Sequence, residues 1–277
     1  MGRDADEVLM TSLVKTSDNS GVRLFTITNP PRGYMNSAVC AELVEKFASA
    51  VEDENVRAIV FTGGVPGVFI RHYDVGEILA MGHAVREASE DRGPTPPRSE
   101  TPVYDLVDRM LACPKPIIAA INGTCMGGGC EFALACDIRV AARGVYTIGL
   151  PESRLGIVPG LGGMQMLARV VGTARAKEMV LRGRVVRPEE AHSIGLIDEI
   201  SDHAVESALS IATDLASLSP LALAAIKRMA SQVTAGETLE AGILSAADHF
   251  LHTITADEEA MQRMQRFMDK GEDILSH

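Results

Sequence analysis

Tryptophan is absent from the 277-residue chain, and aromatic residues of all kinds make up only 4% of it. Proteins that hold single-stranded nucleic acid stack its bases on aromatic faces, and this chain has few such faces. Positive charge is also in deficit. Lys and Arg number 26 against 37 Asp and Glu, a formal net charge of −11. An acidic surface repels a phosphate backbone, so nucleic acid is not an expected partner. A local basic pocket for a phosphorylated cofactor is still compatible with that balance. No apolar run approaches the roughly 18 residues needed to cross a bilayer, so no membrane contact is expected. The first residues, MGRDADEVLMTSLVK, are acidic and lack an apolar centre, unlike a signal or transit peptide. Cysteines are few and odd in number: Cys40, Cys113, Cys125, Cys130 and Cys136, with no Cys-x-x-Cys pair. That usage fits reduced, buried thiols and a cytoplasmic location. No Cys/His cluster has ligand spacing, so no metal is expected.

What is present is aliphatic. Apolar residues make up 46% of the chain, enough for one large domain or a domain with an appendage. GVRLFTITN, ending in PPRG, reads as a strand and a turn. AVCAELVEKFASAVEDE has helical periodicity, and VRAIVFTGG reads as a buried strand closed by glycines. DVGEILAMGHAVREA and PVYDLVDRMLAC read as helices. Between them the charged, proline-rich stretch Ser89 to Glu100 reads as a mobile loop. KPIIAAING is a strand with Pro116 at its start, DIRVAA and YTIGLP are strands, and GGGCEFALAC opens a helix. From about Gly162 onward the pattern is almost wholly helical, including SPLALAAIKRMASQV and ETLEAGILSAADHFLH. The last stretch, ADEEAMQRMQRFMDKG, begins with acids and ends in Lys-Gly, as a helix does. Ala, Leu and Met at helical spacing in this last third fit either ordinary core or a subunit interface.

Two acids stand in glycine-flanked, apolar contexts: Glu131 in MGGGCEFALACD and Glu152 in IGLPESRLGIVPGLGG. A carboxylate with such neighbours is paired, exposed, or raised in pKa for use. Two brought together suit shared acid–base work. Glycine before a helix start allows close approach of a ligand to free backbone N–H groups. The ligand is a phosphate or a developing oxyanion on a carbonyl. From spacing alone the signal is weak, because a glycine triplet before a helix is structural in most proteins.

KPIIAAINGTCMGGGCEFALACDIRVAA, followed by PESRLGIVPGLGGMQMLARVVG, resembles the crotonase, or enoyl-CoA hydratase/isomerase, superfamily. The resemblance takes in RGYMNS near the start, VFTGG at 60–64 and SPLALAAIKRM at 219–229, and so covers roughly residues 20 to 235. It implies an α/β fold: a crotonase-like spiral of ββα units over residues 1–200, with a C-terminal helical oligomerisation region over 201–277. It also implies an acyl-CoA thioester as partner, no further cofactor, and a homotrimer or dimer of trimers. Two backbone N–H groups would hold the thioester oxygen, one from Gly128 and the other from Tyr73. Glu131 and Glu152 match the two glutamates of the hydratases, one activating water and the other supplying a proton to the α-carbon. The implied activity is addition of water across a trans-2-enoyl-CoA. The same scaffold also admits isomerisation, thioester hydrolysis or C–C cleavage. A non-catalytic CoA-binding oligomer is the reading from another class.

One segment departs from the family. Where a small, glycine-containing stretch is usual, this chain has Ile70, Arg71, His72 and Tyr73, with His72 at the usual glycine. A non-glycine residue there is expected to disturb the oxyanion geometry. Arg71 and His72 are candidates for CoA contact or for reshaping its pocket, against a bland reading as loop-edge side chains. Asp74 keeps the family's acid and suits a cap on the next helix. Arg32 falls where the resemblance places a cation near the CoA diphosphate, and Lys227 is a second candidate for a cofactor phosphate. A solvated turn residue and a surface lysine are the alternatives. Asp137 is expected to be structural, and Cys130 and Cys136 core fillers. The stretch ARGVYTIGLPE is one residue longer than the family pattern and must absorb it in a loop or bulge. The Ser89–Glu100 loop falls where the resemblance places the acyl end of the pocket.

Overall fold

The computed structural model describes residues 12–88 and 101–270. The Ser89–Glu100 loop therefore lies outside the described residues. The chain opens with a hairpin of β1 (Val14–Asn19) and β2 (Val22–Ile27). Ser20 and Gly21 both take positive φ, 51° and 76°, as a two-residue hairpin turn matched to strand twist requires. From β2 the sheet continues in parallel through β3 (Ala58–Gly63), β5 (Ile117–Ile121), β7 (Ile138–Ala142) and β10 (Glu199–Ser201). Every residue of β3 and β5 is buried. Parallel strands covered on both faces read as continuous apolar runs, which is how VRAIVFTGG and KPIIAAING read.

Between these strands the chain visits a second, smaller sheet. It holds β4 (Val68–Ile70), β6 (Thr124–Met126), β8 (Ile148–Gly149) and β9 (Val185–Val186), in that order, with β9 antiparallel to β8. β3–β4, β5–β6 and β7–β8 each send one strand to each sheet. A helix or helical turn follows each pair, so three passes build a spiral. Asn122 pins one corner: its Oδ1 accepts from the Gly63 N–H at 3.1 Å and its Nδ2 donates to the Gly63 carbonyl at 2.7 Å.

Helix α1 (Ser37–Glu52), capped by the Asn36 side chain, buries Leu43 and Phe47 in the main core. α2 (Val75–Ala88), α3 (Pro102–Ala112) and α4 (Gly128–Leu134) follow. The expected strand YTIGLP shrinks to Ile148–Gly149. The stretch before it forms a turn after β7, tied by the Tyr146 hydroxyl to the Ile121 carbonyl at 3.1 Å. Beyond residue 162 the chain is not purely helical. α5 (Gly163–Val171), α6 (Thr173–Leu181) and α7 (Pro188–Ser193) are interleaved with β9 and β10. Strands of two and three residues are too short to write an alternation into the sequence.

α8 (Ala204–Ala216) lies on the outer face of the large sheet, with Ala204, Ala208 and Ala212 buried against Val60, Ile118 and Val140. The helices that stand away from the sheet are α9 (Pro220–Thr234), α10 (Leu239–Ala256) and α11 (Glu258–Lys270). α9 and α10 bury no residue. Val233, Leu244 and Phe250 are 70%, 65% and 63% exposed, which removes the ordinary-core reading of their apolar spacing. No single described helix is long and apolar enough to cross a membrane.

Candidate active site

The three glycines have three separate reasons. Gly127 turns the chain from β6 into α4 with φ +52°, in the left-handed region that side chains avoid. Gly128 faces the Tyr73 backbone; a Cβ there would lie 3.1 Å from the Tyr73 Cβ and 3.4 Å from its nitrogen. Gly129 packs against β4, where a Cβ would fall 2.1 Å from the Ile70 carbonyl oxygen. The triplet thus lets the first turn of α4 press against the strand carrying the Arg71–Tyr73 segment. Gly128 is the first residue of α4, where a backbone N–H has no intrahelical acceptor.

Tyr73 presents the matching donor. It forms a parallel bridge with Met35: the Met35 N–H donates to the His72 carbonyl at 2.9 Å, and the Asp74 N–H to the Met35 carbonyl at 2.7 Å. In a parallel bridge the flanking residues make the bonds, so the Tyr73 N–H points away from Met35, and a Cβ on Gly128 would lie 3.4 Å from that nitrogen. Among the described non-glycine residues only Ser20 has a positive φ, so position 72 does not need glycine's freedom. The backbone at position 72 is therefore one that a side chain permits.

Both glutamates are buried. Glu131 is 2% exposed on α4, and its Oε1 accepts from the Leu161 N–H at 2.7 Å and the Gly163 N–H at 2.9 Å. Burial pushes its pKa up to about 7; the two N–H bonds oppose this, and the nearby Glu152 charge adds to it. Glu152 is 9% exposed and opens a single 3-10 turn, Glu152–Leu155, after Pro151. Its Oε2 is buried without a hydrogen-bond partner, and burial raises its pKa as well. A Cβ on Gly127 would meet Glu152 Oε1 at 3.2 Å, so this carboxyl lies over the glycine turn.

All four groups line one cavity of about 520 Å³. Its remaining wall is mostly apolar, including Ile78, Met81, Val103, Leu155 and Val158. Two free N–H groups beside two buried carboxyls can hold a carbonyl oxygen as charge grows on it, while one acid takes a proton and the other gives one.

The sequence profile of the enoyl-CoA hydratase/isomerase family matches residues 17–274. The 2,3-dehydroadipyl-CoA hydratase of Escherichia coli (strain K12) is 34% identical over 264 residues, covering 94% of this chain and 97% of that protein. The chain belongs to the enoyl-CoA hydratase/isomerase family. An enoyl-CoA hydratase structure from Bacillus anthracis superimposes with a TM-score of 0.82 at 28% identity, covering 94% of this chain and 97% of the other. A peroxisomal fatty acid beta-oxidation multifunctional protein of Arabidopsis thaliana is 38% identical over 182 residues. That match takes in 66% of this chain but only 24% of the larger protein. This family member is thus an enzyme of hydratase type, a lyase acting in acyl-CoA chemistry.

The other expected site residues of this hydratase-family chain divide by place. His72 lines the cavity and stacks on Tyr34 with ring centroids 4.5 Å apart. Asp74 caps α2, its Oδ1 accepting from the Gly76 N–H at 2.7 Å. Arg71 Nε donates to the Arg32 carbonyl at 3.0 Å and so ties down the turn carrying Arg32. Among the described residues the Arg32 guanidinium reaches only the Tyr34 hydroxyl, at 3.1 Å. Lys227 is committed elsewhere: its ammonium holds Asp137 at 2.6 Å and the Lys115 carbonyl at 2.8 Å. Asp137 in turn accepts from the Ile117 N–H at 2.7 Å, a structural role. Cys130 and Cys136 are buried in the main core. Sequence reasoning missed Leu161 and Gly163, which act through backbone N–H groups without a side-chain signature. It also missed Ser37 and Glu77, although Glu77 stands one helical turn beyond Tyr73.

Proposed function

We propose that this enzyme is an enoyl-CoA hydratase that adds water across a trans-2-enoyl-CoA to give a 3-hydroxyacyl-CoA. The observation that carries the reading is the pair of buried carboxyls, Glu131 and Glu152, on one cavity with the free N–H groups of Gly128 and Tyr73. The thioester oxygen sits between the two N–H donors. Glu131, whose carboxylate is already supported by two backbone N–H bonds, removes a proton from water as the water oxygen bonds to the β-carbon. The π-electron pair moves toward the thioester carbonyl, and its charge is held by the two donors. Glu152, raised in pKa and lacking a partner on Oε2, delivers a proton to the α-carbon. Transfer of the proton from Glu131 to Glu152 through solvent restores both groups. Crotonyl-CoA is expected to lose its conjugated-thioester absorbance on addition of the protein. Inactivity across short and long enoyl-CoAs would sink the assignment.

The acyl group follows from the lining. The E. coli relative is named for a dehydroadipyl thioester, whose acyl chain ends in a carboxylate. Here the described wall of the cavity contains no Lys or Arg, and its charged groups are Glu77, Glu131 and Glu152. A second carboxylate would meet like charge in an apolar cavity with no counterion among its described residues. Uncharged enoyl-CoAs are therefore expected to exceed 2,3-dehydroadipyl-CoA in kcat/KM by about 100-fold or more, a difference of roughly 2.7 kcal/mol. A competition assay with both thioesters measures the ratio directly.

The exposed apolar faces of α9 and α10 support self-association of the C-terminal helices as a homotrimer or dimer of trimers. Light scattering on the purified chain tests this, and a monomer would overturn it.

A further inference from the structure

We infer that the Tyr73 side chain and Glu77 form a clamp that fixes the Tyr73 N–H in its oxyanion-binding orientation. This rests on the acyl-CoA reading of the cavity. Tyr73 has two holds on its position. Its backbone is bridged to Met35 on one side. Its phenol reaches along α2 to Glu77, donating to Oε2 at 2.8 Å. The same carboxylate oxygen accepts from the Ser37 N–H at 2.9 Å and the Ser37 hydroxyl at 2.8 Å, and Ser37 Oγ lies 3.2 Å from the phenol oxygen. Ser37 begins α1 and Glu77 lies in the first turn of α2. One oxygen therefore ties two helix starts and the Tyr73 ring into a single node at the cavity wall.

The backbone nitrogen and the phenol oxygen of Tyr73 lie at opposite ends of a side chain with only two free torsions. Holding the ring at Glu77 restricts rotation about the Cα–Cβ bond and steadies the peptide plane that carries the N–H. Glu77 thus acts through Tyr73 as a positioning residue, and it needs only to accept the phenol proton. Glu131 and Glu152 do not perform this task, because Glu131 is held by the Leu161 and Gly163 N–H groups and Glu152 lies over the Gly127 turn.

Butyryl-CoA labelled with ¹³C at the thioester carbonyl binds without hydration and reports the oxyanion donors through its infrared stretch. In the unaltered protein the stretch is expected to move to lower wavenumber than in solution. Tyr73→Phe keeps the ring and deletes one hydroxyl; the stretch should move back toward the solution value. With crotonyl-CoA, kcat should fall about tenfold while KM changes less than about threefold, because misplacing a reacting group taxes the transition state more than binding. Glu77→Ala should match Tyr73→Phe, and Glu77→Gln, which keeps an acceptor oxygen, should restore most of both signals. Purely structural loss would lower the melting temperature without this kcat-against-KM split or spectral shift. Should Glu77→Ala not fold, Tyr73→Phe decides alone. If the unaltered protein binds butyryl-CoA and Tyr73→Phe leaves both stretch and kcat unchanged, the clamp is overturned. If butyryl-CoA does not bind at all, the acyl-CoA reading falls and takes the clamp with it.

Discussion

Glu131→Gln and Glu152→Gln are each expected to lower crotonyl-CoA hydration by about 10²–10⁴-fold, the range positioned acid–base groups contribute. Glutamine keeps the volume of each buried side chain. At position 131 it also keeps an oxygen to accept from Leu161 and Gly163, so the fold should survive. What disappears is the ability to take or give a proton. The two groups serve one proton circuit, so the double variant should fall little below the worse single variant. Steady-state kinetics on the three proteins measure this. If Glu131→Gln keeps full activity in double-bond migration while Glu152→Gln removes it, isomerisation replaces hydration as the activity.

The same pair sets a pH signature. Glu131 titrates near 7 in the folded protein rather than at its ordinary 4.5, chiefly through burial. As a base it must be ionised, so kcat/KM should fall as pH drops below about 7. Stability runs the other way. Between 4.5 and 7 the unfolded chain releases this proton first, so the folded state binds more protons and loses stability as pH rises. Above 7 the loss is complete. Glu131→Gln removes that slope, so its melting temperature should gain on the unaltered protein between pH 5 and pH 8. Equal differences at both pH values would show that Glu131 carries no such strain. The expected combination of higher stability and lost activity is the trade seen where a functional site holds a costly group.

Gly129→Ala is expected to destabilise the protein by about 3 kcal/mol or more, the upper end of overpacking costs. The reason is distance alone. The new methyl would lie 2.1 Å from the Ile70 carbonyl oxygen, a backbone atom of β4 that cannot rotate away. Relief requires α4 to withdraw from β4, which also carries Glu131 and the Gly128 N–H off the Tyr73 segment. Gly82→Ala is the matched control. Gly82 sits inside α2, and a methyl added there would meet no atom of the described residues within 4 Å beyond its own helix backbone and chain neighbours, so alanine should gain up to about 1 kcal/mol of helix propensity. Thermal melts of the two variants test the contrast, and a Gly129→Ala melt equal to wild type would remove the close-approach explanation.

Much of the fold and site is legible in the sequence because it is local. The buried strands β3 and β5 announce themselves as apolar runs, and the helices by their period. The acid contexts around Glu131 and Glu152 carry the family resemblance, and the cap at Asp74 is a short-range pattern. Where signals are short or absent, reading fails. β9 and β10 span two and three residues, below the length at which alternation is visible. Arg32 and Lys227 both read as candidate phosphate ligands, yet Lys227 is taken by Asp137, 90 residues away in the chain. A cation's partner depends on which remote segments pack together.

By itself the sequence determined the fold family, the two carboxylates and the glycine turn that precedes one of them. Residue type and local order carry those facts. Only the tertiary structure decided that position 72 takes a backbone conformation open to histidine, that the Tyr73 N–H faces away from Met35, and that Glu131 is held by Leu161 and Gly163. These depend on the bridge to Met35 and on backbone donors 30 and 32 residues from Glu131. A backbone N–H is the same group at every non-proline residue. Its function is set by where the chain aims it, and that direction comes from packing.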